Sequence, residues 1–333
     1  MDLVRSSCAS FRSSLARCSE EQAKRFAREI DPKAILSFVH SSEGLSTNRF
    51  DSEVDFPTPD DEVGFILIAH GLDFGSGFRY LLHEHRAGQG AWLTIRAGLV
   101  KLGQRNPRCE ANWLVSLTLD VIVEIFDLSA ESLRPLAQQL FTSIHEIGQQ
   151  LIALGYSTPG EFVMNHMTTS ATTAVFALVD NFPLTFKDEY DVITLGGDTT
   201  PQHVCFYKKA QLVVSEMNML FGNRYPHKFS YSDINQLTAF VDNVVVAMLR
   251  MNRIVLCHED LAVRIEKGIY LMKGSEEEVA LRSVALAGVE IVVQELRKVR
   301  KERGDEGEEI NSQKLCNWLW GCLGKEGIYR KYP

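Results

Sequence analysis

The sequence predicts a mainly α-helical fold: a single-domain helical globule with one minor β-hairpin element. Three observations carry this. Helix-start signals recur along the chain, one segment keeps helical apolar spacing for about six turns, and strand-like alternation is confined to one short region.

In chain order, Ser19 precedes Glu20, Glu21 and Gln22, the pattern of a capped helix start. Asp31-Pro32 sets an N-cap before a proline at the first helical position, ahead of Ala34, Ile35 and Leu36. Phe56 to Asp61 (FPTPDD) reads as a short polar loop. Leu133, Leu136, Leu140, Ile144, Ile147, Leu151 and Leu154 lie on one helical face, and Gly155 ends the run. Val192 to Leu195, a turn at Gly196-Gly197-Asp198, and His203 to Phe206 form the expected hairpin, which feeds a helix beginning near Tyr207. Ser275 with Glu278 is a second capping box. It opens a long helix that closes on Arg297, Lys298, Arg300, Lys301 and Arg303 before Gly304. Acids at its start and bases at its end suit the helix dipole, so the basic cluster reads as a solvated helix end rather than a binding patch. Residues 304–309 form another polar loop.

With 333 residues, 45% of them hydrophobic, the chain can bury a large core. Neither a Pro/Gly/Ser-rich linker nor a 20–50-residue repeat interrupts it, so one domain over 1–333 is expected. The net charge of -8 and pI of about 5.7 argue against nucleic acid as a partner, while leaving room for a small anionic substrate in a local basic pocket. The seven cysteines (8, 18, 109, 205, 257, 316 and 322) are scattered and form no C-x-x-C, which points to a reduced, cytoplasmic protein. No apolar run reaches ~18 residues, so no membrane span is expected. Arg5, Arg12 and Arg17 among serines resemble a mitochondrial leader; the alternative is a folded N-terminal segment.

The most informative pair of segments is Tyr207-Lys208-Lys209-Ala210-Gln211 and Leu237 to Leu249, LTAFVDNVVVAML. The second is apolar except for Thr238 and Asp242-Asn243. A carboxylate in such a run costs several kcal/mol if left buried without a partner. Lys208, on one helical face with Gln211 and Leu212, is the expected partner. Asp242 also has a purely structural reading, as N-cap of a helix running Asn243 to Arg250; the two roles can coexist.

These segments carry a resemblance. Phe206 to Gln211 (FYKKAQ), the LTxFxD stretch ending at Asp242, Glu276-Glu277-Glu278-Val279 with Arg282, and Ile310-Asn311 with Leu319-Trp320 follow the order of the queuosine salvage proteins. Upstream, Gly71 to Arg79 (GLDFGSGFR) looks like that family's LNFGSGFR loop. The resemblance implies a DNA-glycosylase-like helical fold. It also implies a hydrolase that cleaves the N-glycosidic bond of queuosine 5'-monophosphate, releases queuine, and uses no cofactor.

Residue by residue, it implies Asp242 and Lys208 as catalytic groups. Lys208 would orient Asp242 or bind the 5'-phosphate; otherwise it is a surface lysine. Phe74 and Phe240 would sandwich a flat base, against the alternative that both are core. Arg79 would grip phosphate, against a structural ion pair. His40 matches a histidine of the family's His-Pro-Leu segment, although Ser41-Ser42 follow it here. Asp73, Cys316 and Trp320 complete the expected substrate-binding set. His83-Glu84-His85 lacks the company of an HExxH or Cys/His set, so no metal is expected.

The departures from the family cluster at polar positions. The Asp-Tyr-Arg-Val-Pro run reads Asp242-Asn243-Val244-Val245-Val246, and the loop Asn is Asp73. The two acids of the C-terminal Leu-Leu-Asp-x-x-Leu-Trp-Asp are Cys316 and Gly321. The resemblance therefore leaves two readings open, a hydrolase and a non-catalytic homologue that binds a nucleotide-like ligand or a protein. A DNA-repair glycosylase is disfavoured by the acidic composition.

Overall fold

The computed structural model describes residues 1–41, 49–85, 91–195, 200–305 and 307–325, with side chains to 321. The fold is mainly α. Two small antiparallel sheets, each of two strands, accompany the helices. The chain falls into two compact units whose segments interleave. Unit 1 comprises Met1–Thr47, Asp188–Lys208 and Asn235–Pro333; unit 2 comprises Asn48–Lys187 and Lys209–Ile234. Neither unit is a continuous stretch of sequence, so no linker composition marks the change from one to the other.

Unit 1 is built around the helix Glu276–Glu302. Ser275 accepts the Glu278 N–H at its start, and Gly304, at φ +66°, follows its C-cap residue, Arg303. The Glu278 side chain accepts from Gly274 N–H, one residue before the cap. Against this helix pack Asp2–Ser10, Glu20–Glu29, Asn243–Met251 and Ser312–Lys325. Its basic end is tied to its own following loop: Arg297 to Glu309, and Arg300 to Asp305. The solvated-end reading thus holds for Arg297, whereas Arg300 is 6% exposed and enclosed by its partners. The N-terminal residues are folded, with Val4, Ser7 and Cys8 buried.

Strands β1 (Ala16–Cys18), β2 (Glu189–Val192), β3 (Gln202–Cys205) and β4 (Val255–Cys257) all belong to unit 1. β2 pairs with β3, Glu189 opposite Cys205 and Val192 opposite Gln202. The hairpin is real, but its first strand begins three residues before the expected Val192. Asp188 and Tyr190 supply the reason: both are bound into a buried ion-pair cluster described below, which draws the strand N-terminal. The expected turn at Gly196-Gly197-Asp198 lies outside the described residues. β1 pairs with β4, Ala16 opposite Cys257, a contact between segments remote in sequence that no local pattern announces.

In unit 2 the helix Arg134–Ala153 carries the predicted apolar face, buried from Leu136 to Leu151; Leu154, the C-cap residue, is exposed instead because the helix stops there, followed by Gly155 at φ +81°. Ala111–Ser116, Leu119–Phe126 and Pro183–Phe186 pack on it. The FPTPDD stretch is a loop only as far as Thr58. Thr58 caps the helix Pro59–Gly71, Pro59 takes its first turn, and Asp61 completes a capping box back to Thr58. The signal was present as T-P-D-D, the N-cap, N1 proline and N3 acid pattern. This helix is buried on nearly every face from Val63 to Gly71, so amphipathic periodicity could not reveal it. Among the described residues, no helix is long and apolar enough to cross a membrane.

Pro59–Gly71 crosses Pro159–His166 at a glycine pair. A Cβ on Gly64 would stand 2.2 Å from the Gly160 nitrogen and 2.7 Å from its Cα. Backbone cannot yield as a side-chain tip can. Gly64→Ala is expected to cost roughly 1–3 kcal/mol by overpacking, read from urea unfolding. A loss below about 0.5 kcal/mol, the usual range for a neutral surface change, would mean that the helices separate freely.

Candidate functional site

Asp242 and Lys208 meet in unit 1. Lys208 opens the helix Lys208–Phe221, and its Nζ lies 3.9 Å from Asp242 Oδ2. Both side chains are largely enclosed, 13% and 11% exposed. At that separation and an effective dielectric of ~20, the Coulomb attraction is about 4 kcal/mol before desolvation is subtracted.

Asp242 is at the same time the N-cap of Asn243–Met251. Its Oδ1 accepts the N–H groups of Val244 at 2.9 Å and Val245 at 3.0 Å. Its Oδ2 faces the Lys208 ammonium and accepts the Trp320 indole N–H at 3.3 Å. The structural and functional readings therefore coincide in one side chain. The cap fixes one oxygen, and the other is turned to a cation and an indole. The positive end of the helix dipole adds to the same field.

The two arms of the site are held by Arg282, whose side chain is 11% exposed. Its Nη1 and Nη2 donate to the two oxygens of Asp188 at 3.1 and 2.6 Å, and Nη1 also donates to Glu278 at 2.9 Å. Its Nε donates to the Val241 carbonyl at 3.1 Å, one residue before Asp242. Its Cζ stands 3.9 Å from the ring centre of Phe206, two residues before Lys208. Tyr190 Oη donates to Asp188 at 2.7 Å. Burial alone would raise the Asp188 carboxyl. The charge and hydrogen bonds of Arg282, with the Tyr190 hydroxyl, instead hold it well below the usual carboxylate range. Sequence reading singled out Arg282 but missed Asp188 and Tyr190, which belong to no motif and become partners only by folding.

Tyr207, between Phe206 and Lys208, has φ +52° and is buried. A bulky residue in the left-handed region is strained, and such strain persists only where the surroundings enforce it. Here the Tyr207 hydroxyl is bound to Glu189, and Phe206 lies under Arg282.

The remaining expected residues of unit 1 fall into three situations. Trp320 joins Asp242 and is 38% exposed, so of the aromatics beside the carboxylate it has an open face. Phe240 is 5% exposed and packed in the core, the alternative weighed for it above. Cys316 is buried; burial pushes its thiol up, a Phe240 backbone hydrogen bond partly offsets this, and the Asp242 charge pushes it further. His40 is exposed at the end of Pro32–Val39, its Nε2 2.6 Å from Glu308 Oε2. A Cβ on Gly321 would stand 2.1 Å from the Phe38 ring, so Phe38 fills the room an acid there would need.

Unit 2 carries the GLDFGSGFR loop. Gly75–Phe78 is a 3-10 turn leading into Arg79–His85. The Lys209 ammonium donates to the Gly71 carbonyl at 3.1 Å and sits 3.6 Å from the Phe74 ring centre. Lys209, taken from sequence as a mere neighbour of Lys208, thus braces the loop that bears Asp73 and Phe74. Arg79 Nε donates to His83 Nε2 at 3.4 Å, and His85 contacts Ser132.

The sequence profile of the family described as queuosine salvage protein matches residues 76–329. The chain is 24% identical over 233 residues to a mouse protein named queuosine 5'-phosphate N-glycosylase/hydrolase, covering 69% of this chain and 65% of that one. It is 29% identical over 215 residues to a protein of the same name from Sphaerobacter thermophilus, covering 65% and 61%. A bovine protein of that name is 25% identical over 234 residues, covering 69% and 65%. The chain thus spans slightly less than two thirds of the length of these relatives.

Asp188 has a folded-state pKa below its unfolded value of ~3.9, so its stabilisation is present above about pH 4 and fades as pH falls toward the folded value. Asp188→Asn leaves Arg282 buried with weaker partners and is expected to cost about 3–5 kcal/mol near neutrality. Urea unfolding of both proteins should show the gap shrinking steadily below about pH 4. A gap that stays constant into acid would refute the assignment.

Proposed function

The chain belongs to the queuosine salvage protein family, and we propose that it hydrolyses the N-glycosidic bond of queuosine 5'-monophosphate to release queuine. The observation that carries the reading is Asp242, where an N-cap, the Lys208 ammonium and the Trp320 indole converge on one carboxylate. The names of the relatives support the substrate. The family match over 76–329 takes in parts of both units, which supports one queuosine-salvage-type domain over that range. The reading needs no cofactor and no nucleic acid. Cytoplasmic action is supported by scattered cysteines, six of which are free among the described residues.

The chemistry follows from the bond. Its heterolysis builds oxocarbenium character at the sugar C1', and a carboxylate close to C1' stabilises that charge, attacks it, or activates water. A 7-deazaguanine-type base has no N7 to protonate and leaves reluctantly. Stabilisation of developing charge is then the main demand on the site. In this reading Oδ2 of Asp242 faces the reacting carbon, because Oδ1 is committed to the helix cap. Lys208 orients the carboxylate or binds the 5'-phosphate. Trp320 offers a stacking face, while Phe240 backs the site from the core. Asp73, Phe74, Arg79 and His40 are proposed as substrate contacts on the family resemblance alone.

A second reading, a non-catalytic homologue that binds a nucleotide-like ligand or a protein, is favoured by one observation. Phe38 stands against Gly321, and Cys316 is an enclosed thiol. The positions of both family acids have thus become apolar.

The primary test is incubation of purified protein with queuosine 5'-monophosphate, with free queuine as the product measured. Asp242→Asn should abolish turnover while the fold persists, since Asn keeps the shape but not the charge; an unchanged kcat/KM removes Asp242 from the mechanism. Cys316→Asp adds a carboxylate beside Asp242 and should lower the melting temperature of the free protein. It should also tighten queuine binding about tenfold or more, because a charge-assisted hydrogen bond contributes roughly 1.5–3 kcal/mol and a decade is 1.4. Calorimetric titration of both proteins decides this. Equal affinities would show that the acid position does not contact the base in this chain. No binding by either would favour the second reading.

A further inference from the structure

We propose that Arg282 is a positioning residue for the hydrolysis, acting through Asp242 by holding the Val241 carbonyl and the Phe206 ring in one rigid frame. The inference rests on the reading of the site given above and adds to it the residue that sets its geometry.

One guanidinium reaches both arms of the site. Its Nε donates to Val241 O at 3.1 Å, which fixes the peptide leading into Asp242. Its flat face lies 3.9 Å from the centre of Phe206, which fixes the segment leading through the strained Tyr207 into Lys208. Its terminal nitrogens are clamped by Asp188 and Glu278, so the fork itself does not swing. Asp188 is clamped in turn by Tyr190. Asp242 is fixed from one side by the helix it caps and from the other by this hydrogen bond through Val241.

Only a planar fork can do this. Arginine presents N–H donors in several fixed directions and a face that stacks on an aromatic ring; lysine is a point charge on a flexible stem. Lysine at 282 would keep a cation beside Asp188 and Glu278 but could not also donate to Val241 O in the same geometry and cover Phe206. The carboxylate would then be free to shift against Lys208, and displacements of about 1 Å in a site can cost of order 100-fold in rate.

The experiment compares the full-length wild type with Arg282→Lys in two independent measurements. Steady-state kinetics on queuosine 5'-monophosphate should give a kcat lower by roughly 10–100-fold with KM within about twofold. A crystal structure of the variant should show Lys208 Nζ and Asp242 Oδ2 further apart than 3.9 Å and the Trp320–Asp242 hydrogen bond broken. If Arg282→Lys does not fold, Asp188→Asn loosens the same fork from its other side and should produce the same two results. A rise in KM at unchanged kcat, or a variant structure that keeps both Asp242 contacts, overturns the proposal. Wild-type protein without turnover would count against the hydrolase reading; the variant structure would still decide whether Arg282 positions Asp242.

Discussion

The buried pair of Arg282 and Asp188 is the interaction on which the site-bearing unit depends. A guanidinium and a carboxylate removed from water cost several kcal/mol each, and the penalty is recovered only if nearly every donor and lone pair is used. Here the fork satisfies that condition through Asp188, Glu278 and the Val241 carbonyl, with Tyr190 completing the carboxylate. Four stretches of chain, those bearing Asp188, Phe206, Val241 and Arg282, must be in register for the whole cluster to form. That requirement shifts the first strand of the hairpin toward Asp188, holds Phe206 beneath the cation, and enforces the left-handed backbone of Tyr207.

Asp242 shows how one side chain can be both structural and chemical. N-capping contributes about 1 kcal/mol, which by itself would justify an Asp at this position. Yet a cap uses one carboxylate oxygen, and the second is then held in a fixed direction without added side-chain freedom. The helix Asn243–Met251 is thereby both the support of the carboxylate and a source of positive potential around it. Adjacent residues divide the work in a similar way: Lys208 lies against Asp242, while Lys209 binds the Gly71 carbonyl and the Phe74 ring.

The departures from the family pattern are accommodated rather than left open. Gly321 allows Phe38 to close against the C-terminal helix, and Cys316 takes a place where burial and the neighbouring Asp242 disfavour a second negative charge. The carboxylate of Asp242 keeps its cap, its cation and its indole throughout.

By itself the sequence determined the helical class, the caps at Ser19, Asp31 and Ser275, the long apolar face ending at Gly155, and the pairing of Asp242 with Lys208. Each of these is encoded within a few turns of chain or by a charge too costly to bury alone. The tertiary structure decided the rest. Pro59–Gly71 is apolar on nearly every side, so no periodicity marks it, and only its cap was readable. β1 and β4 pair residues that are remote in sequence. Asp188 and Tyr190 have no motif, and whether Phe240 served the core or a ligand was open in the sequence; folding buries it and leaves Trp320 partly exposed. Local patterns report what a segment prefers. Partnership between distant charges, and the side from which a residue is buried, exist only after the chain has closed on itself.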